Sequence, residues 1–220
     1  MKRHLRKLYS NPKIVQIITI INLAIYLMWL SSPYLGKAQV IHMQENFLIS
    51  WDAINEERLW TLISSVFSHN MFFHFFLNMF ILRGFGSVVE KTLGSWRFLK
   101  FYLSAGVVSS LAHAYTSYWL VGDPSLPALG ASGAIAGTIL IFSLLYPKEK
   151  ILLFGIIPLP SIFGALLFVG LDIWGLISQA SGHGLPIGHG AHLGGAFYGI
   201  FYYIFVIRRQ RRMPSRAESD

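Results

Sequence analysis

The sequence predicts an all-α membrane protein: a bundle of six transmembrane helices with both termini cytoplasmic and an interfacial loop between helices one and two. Three observations carry this. Hydrophobic residues make up 54% of the 220-residue chain and charged residues only 13%, about half the share usual in soluble domains. Six stretches are apolar enough to enter a bilayer and close to the roughly 20 residues a crossing needs. Threading those stretches puts all but Lys37 and Arg58 of the 18 Lys and Arg residues on one side, as the positive-inside rule requires.

The elements follow in order. Residues 1–13 form a basic cytoplasmic tail. The first span, Ile14–Leu30, lacks a small-residue cleavage site and reads as a retained anchor rather than a signal peptide. Pro33–Leu59 is too polar to span but carries Tyr34, Phe47, Leu48, Ile49 and Trp51, and is expected to lie in the membrane interface. The second span is Val66–Val89, the third Phe98–Leu120 and the fourth the short Leu129–Tyr146. The fifth is Ile151–Ile177, broken near Pro158 and Pro160. The sixth is Gly190–Ile207, and residues 208–220 form a second basic tail. Residues 14–207 are therefore one domain. The net charge of +8 sits at the membrane flanks, which argues for anchoring to the lipid bilayer and against nucleic acid. Cysteine is absent, which excludes disulfides and thiolate metal sites.

Polar side chains inside spans are costly and mark candidate sites. The second span holds His69, His74 and Asn78; His74 and Asn78 are four apart and share a helix face, with His69 about 140° away from His74 at 100° per residue. The fourth opens with Gly130-Ala131-Ser132-Gly133, and the sixth with Gly190-Ala191-His192-Leu193-Gly194-Gly195. Taken singly, each cluster reads as readily as a packing network, a small-residue helix contact or a structural histidine. Asp172, in the fifth span, is expected at the outer water boundary, and His183 and His189 are expected to be solvated loop residues.

Topology brings three clusters together. His74, Ser132 and His192 all fall in the first part of spans that run inward from the outer face, roughly 5–12 Å deep at 1.5 Å per residue. Gly133 and Gly137 on one span and Gly195 and Gly199 on another form small-residue faces that permit close approach. A serine hydroxyl needs an adjacent base, and His192 supplies one. His74, Asn78 and the Ser132 N–H can donate to a developing oxyanion. A fourth span of about 18 residues is roughly 27 Å long, short of the roughly 30 Å hydrocarbon core, and leaves room for water above Ser132. The pattern Gly-x-Ser-x-Gly is not met, because Ala134 occupies the last position. A zinc protease reading lacks His-Glu-x-x-His, and no carboxylate is expected to accompany His189 and His192 to form an open catalytic site. A transporter reading lacks paired repeats.

The set Gly130-Ala131-Ser132-Gly133, Ala191-His192-Leu193-Gly194-Gly195, His69-x4-His74-x3-Asn78 and Glu90-x3-Gly94-Ser95 resembles the rhomboid proteases over about Arg58 to Ile207. The resemblance implies a Ser–His dyad without a catalytic aspartate: Ser132 as nucleophile, His192 as base, His74 and Asn78 at the oxyanion, and His69 in a structural role. It implies no cofactor or metal, transmembrane-segment substrates, and a mobile fifth span. A catalytically silent rhomboid-like adaptor that binds transmembrane helices is the alternative. Two positions depart from the family. Thr61 follows Trp60 where an arginine is usual. Ala136 stands four residues after the serine, where an aromatic usually stacks on the histidine. A bacterial inner membrane, with the site opening to the periplasmic side, is the expected location.

Overall fold

The computed structural model describes residues 12–153, 156–185 and 187–209. Lys2, Arg3, Arg6, Lys7, Arg211, Arg212 and Arg216, and with them most of both expected tails, lie outside the described residues. The chain runs through α1 (Lys13–Leu35), α2 (Lys37–Phe47), the short α3 (Trp51–Asn55) and α4 (Thr61–Ser64), α5 (Phe72–Leu93), α6 (Ser95–Thr116) and α7 (Ser132–Leu145). An antiparallel hairpin, β1 (Lys150–Leu153) with β2 (Ile157–Pro160), follows, and then α8 (Ser161–Ala180) and α9 (His189–Ile207). Among the described residues, four helices are long and apolar enough to cross a membrane: α1, α5, α8 and α9.

The shorter α7 is the centre of the bundle. Every residue from Gly133 to Thr138 on it is buried, so no face is free. The core around it comes from Phe98, Phe101, Tyr102 and Ala105 of α6 and Leu82 and Val89 of α5, with Val15 and Ile18 of α1 completing it. The outside is apolar instead of polar: Ile20, Phe73, Phe80, Trp174 and Phe197 all lie open. Polar groups are concentrated inside, where Asn22, Ser109, Ser110, His113, Thr138 and Ser143 are buried. This inversion is the arrangement a lipid solvent favours.

Three expected spans have different limits. The second does not start at Val66. Ser65–Phe67 is a 3-10 turn, the indole N–H of Trp29 on α1 donates to Ser68 Oγ at 2.7 Å, and Met71 is extended before α5 begins at Phe72. His69 therefore lies in a break and not on the helix of His74. The fourth does not start at Leu129. Gly130 has φ +121°, a conformation no helix contains, and α7 runs only from Ser132 to Leu145. Its 14 residues give about 21 Å at 1.5 Å per residue, shorter than expected. The first part of the fifth span is the hairpin, in which Pro158 pairs with Leu152 and Pro160 with Lys150; proline cannot donate a helical bond there, and α8 starts only at Ser161.

The expected interfacial segment is helical in α2 and α3 and is stapled to its neighbours. The indole N–H of Trp60 donates to Asn46 Oδ1 at 3.1 Å. Thr61 is fully buried, its hydroxyl donating to the Arg58 carbonyl at 2.6 Å. Arg58 in turn donates to the Glu45 carbonyl at 3.0 Å.

Glu90 explains its own motif. Its carboxylate is 2% exposed and accepts from the backbone N–H groups of Ile14 (3.0 Å) and Val15 (2.9 Å) and from the Ser95 hydroxyl (2.6 Å). It caps the start of α1, where free N–H groups and the helix dipole favour an anion. Gly94, at φ +86°, makes the reversal into α6. Glu90→Ala should therefore lose about 1–3 kcal/mol of stability, read as a lower thermal midpoint in detergent, and Glu90→Gln should lose less.

Candidate active site

The chain before Ser132 is held at several points. Ile49 and Ala128 exchange backbone hydrogen bonds at 2.9 and 2.8 Å, Asp52 N–H donates to the Pro124 carbonyl at 3.1 Å, and Gly130 N–H donates to the Ser65 carbonyl at 2.9 Å. His113 of α6 adds a bond from Nε2–H to the Leu126 carbonyl at 3.0 Å. Gly130 must be glycine twice over. Its φ is positive, and a Cβ there would lie 2.6 Å from Cε1 of His74. This pinned loop delivers Ser132 as the first residue of α7, so the N–H groups of Ser132 and Gly133 have no intrahelical partner.

The second half of the site comes from α9, which packs on α7 through glycine. A Cβ on Gly137 would meet the Gly195 carbonyl oxygen at 2.7 Å. A Cβ on Gly195 would collide with the Gly133 backbone, and one on Gly199 would lie 2.9 Å from Cα of Gly137. The two glycine faces read from the sequence therefore meet each other. Backbone-to-backbone contact brings the short serine within reach: Ser132 Oγ–H donates to His192 Nε2 at 2.8 Å.

His74 stands beside the loop at Gly130. Asn78, 5% exposed, donates one amide hydrogen back to the His74 carbonyl at 2.7 Å, which leaves its second hydrogen free to serve elsewhere. His69 is fully buried, with its ring edge-on to His74 at 4.8 Å and to Phe75 at 5.8 Å. Among the described residues neither of its ring nitrogens has a partner.

The expectation for His189 is corrected: it is a buried first residue of α9, not a solvated loop histidine. Asp172 is 4% exposed and faces α9. His183 is exposed, as expected. Asp172 Oδ1 lies 2.9 Å from His192 Nδ1 and 2.7 Å from His189 Nδ1. A carboxylate only accepts, so both Nδ1 atoms carry hydrogen. That tautomer leaves the His192 Nε2 lone pair facing Ser132. A carboxylate does therefore accompany these histidines, delivered by α8 and not by the neighbouring sequence. Phe168, one turn before Asp172, sets its ring 5.6 Å from that of His192. Ala136 is fully buried and too small to do so. The one available signal in the sequence was spacing: Phe168 and Asp172 are four apart, and His189 and His192 three apart, each pair sharing a helix face.

The ligand atoms of Asp172, His189 and His192 lie within 4.8 Å of one another, the only such grouping with metal-ligating chemistry among the described residues. Both Nδ1–H groups donate to Asp172 Oδ1, so the three groups are satisfied as hydrogen bonds, and the cluster reads as that.

Residues 56–209 match the family model of the Rhomboid domain. The chain is 33% identical over 199 residues, 85% of its length and 56% of the relative's, to the RHOMBOID-like protein 12, mitochondrial, of Arabidopsis thaliana. It is 32% identical over 220 residues, 94% of this chain and 58% of the relative's, to Rhomboid protein 1, mitochondrial, of Saccharomyces cerevisiae. To the human presenilin-associated rhomboid-like protein, mitochondrial, it is 34% identical over 149 residues, covering 66% of this chain and 37% of the relative. The chain thus spans little more than half the length of the first two relatives. These relatives are mitochondrial proteins, which overturns the expected bacterial inner membrane.

The seam predicts a selective sensitivity. Gly195→Ala should cost about 1–3 kcal/mol through overpacking, measured as a fall in thermal midpoint, because the obstacle is backbone. Gly84→Ala, with nothing within 4 Å of its Cβ, should leave the midpoint unchanged.

Proposed function

The chain belongs to the rhomboid family, and from that premise we propose that it is an intramembrane serine endopeptidase cleaving single-span membrane proteins within or near the bilayer. The observation that carries the reading is the 2.8 Å bond from Ser132 Oγ to His192 Nε2, in the tautomer a general base needs.

The steps follow from that pair. Ser132 Oγ attacks the scissile carbonyl carbon as its proton passes to His192 Nε2. The negative charge on the former carbonyl oxygen is met by the Ser132 N–H, with His74 and Asn78 as side-chain donors. Collapse breaks the C–N bond, and the leaving amine takes the proton from Nε2. Water then attacks the acyl-Ser132 ester, giving its proton to His192, and the ester breaks to release the acid and restore the hydroxyl. His69 serves structure only. No step calls for a metal or cofactor.

In the bilayer we place six crossings, by α1, α5, α6, α7, α8 and α9, with both termini on the side that holds the basic residues. Residues 14–207 form the working domain between basic segments 1–13 and 208–220. The apolar exterior and the buried polar faces of α6 and α7 support this. The 21 Å length of α7 supports a water-filled recess above Ser132, since about 30 Å is needed to fill the hydrocarbon core.

Cleavage of a generic single-span substrate by purified protein tests the reading. Ser132→Ala and His192→Ala should each abolish cleavage while leaving the protein folded. Asn78→Ala should slow turnover by about 10²–10³-fold, the usual cost of one oxyanion donor, with little change in thermal midpoint. Wild-type protein that binds the substrate and never cleaves it would favour the silent adaptor instead.

A further inference from the structure

The Ser132–His192 reading leaves one buried charge unused. Asp172 lies within α8, 4% exposed, and burying an unpaired carboxylate costs several kcal/mol. Among the described residues its hydrogen-bond partners are histidines only, His189 at 2.7 Å and His192 at 2.9 Å, both on Oδ1. Its second oxygen is buried with no partner among those residues. All of the carboxylate's hydrogen bonding is thus directed at the first turn of α9.

We infer that Asp172 is a positioning residue for His192, completing a chain His189–Asp172–His192–Ser132, and that His189 holds the carboxylate in place. The inference rests on the dyad reading above and goes beyond it, since a dyad needs no carboxylate. Neutral imidazole has two tautomers, and only the one with hydrogen on Nδ1 gives Ser132 an acceptor. Asp172 selects that tautomer and stabilises the imidazolium formed when Ser132 gives up its proton. His189 donates to the same oxygen and so fixes the side chain from its far side. Phe168 backs the ring from the same helix face. One face of α8 thereby replaces the aromatic support absent at Ala136. Because these groups stand on α8 while the base stands on α9, the base is fully oriented only when α8 is docked.

The test compares wild type, Asp172→Asn, Asp172→Glu, His189→Asn and Ser132→Ala in detergent. It reads kcat and KM on a single-span substrate and the rate of fluorophosphonate labelling, all normalised to folded protein. For Asp172→Asn we expect kcat to fall by up to about 10⁴-fold, the loss seen when the third member of a triad becomes its amide, with KM within about threefold and labelling slowed in parallel. Asp172→Glu should recover part of the rate, and His189→Asn, which keeps the carboxylate, should lose only about 3–10-fold. A kcat and a labelling rate within threefold of wild type in Asp172→Asn overturn the inference while the dyad stands. If Asp172→Asn does not fold, His189→Asn decides: full activity overturns the inference. Labelling that persists in Ser132→Ala means the dyad itself is wrong, and the inference falls with it. Inhibition of wild type by a chelator shows that the cluster holds metal, and that also overturns it.

Discussion

The contact on which the rest of this structure depends is the glycine seam between α7 and α9. A serine side chain is short, and an imidazole on a neighbouring helix reaches it only if the two backbones nearly touch. Ordinary helix pairs stand 8–10 Å apart. Here Gly133 and Gly137 face Gly195 and Gly199 with no side chain between them, and the result is the 2.8 Å Ser132–His192 bond. The same seam continues outward: Gly194 lies against Val108, Ser109 and Ala112 of α6, so α6, α7 and α9 form one tightly packed unit.

The periphery serves that unit in two ways. One is to fix where α7 begins. The loop before Ser132 is bonded to the segment between α2 and α3, to α6 and to the turn after α4, so the height of Ser132 is set by several elements at once. The other is to supply charge and apolar cover. Glu90 fastens α1 to the α5–α6 turn, and Asp172 fastens α8 to α9. In lipid, where apolar contact between helices has little driving force, such polar fastenings and close small-residue packing carry the association.

Much of this was legible in the sequence. The glycine faces announced themselves by four-residue spacing, and the pairing of Ser132 with His192 followed from them. Helical content and the membrane setting followed from composition. Element starts were harder. Hydropathy treats Ser68–Met71 and Leu129–Ala131 as apolar chain, whereas hydrogen bonds from Trp29 and to Ser65 and Ile49 hold them out of helix. The strands β1 and β2 are as apolar as a span, so hydropathy alone makes them part of a broken helix. The surroundings of Asp172 are hidden for a related reason. Its partners are distant in sequence, and a lone carboxylate near polar Ser178-Gln179 resembles a helix end until α9 is seen lying against it. The small side chain at Ala136 is visible in the sequence, whereas the ring of Phe168 against His192 is defined only by contacts in three dimensions.

The central claim is that this packing turns Ser132 into a nucleophile. The most direct measurement is peptide mass mapping of the folded protein after treatment with a fluorophosphonate. The account predicts a single phosphonyl adduct, on Ser132, formed in wild type and absent in His192→Ala. An adduct on another residue, or equal labelling of Ser132 without His192, would contradict it.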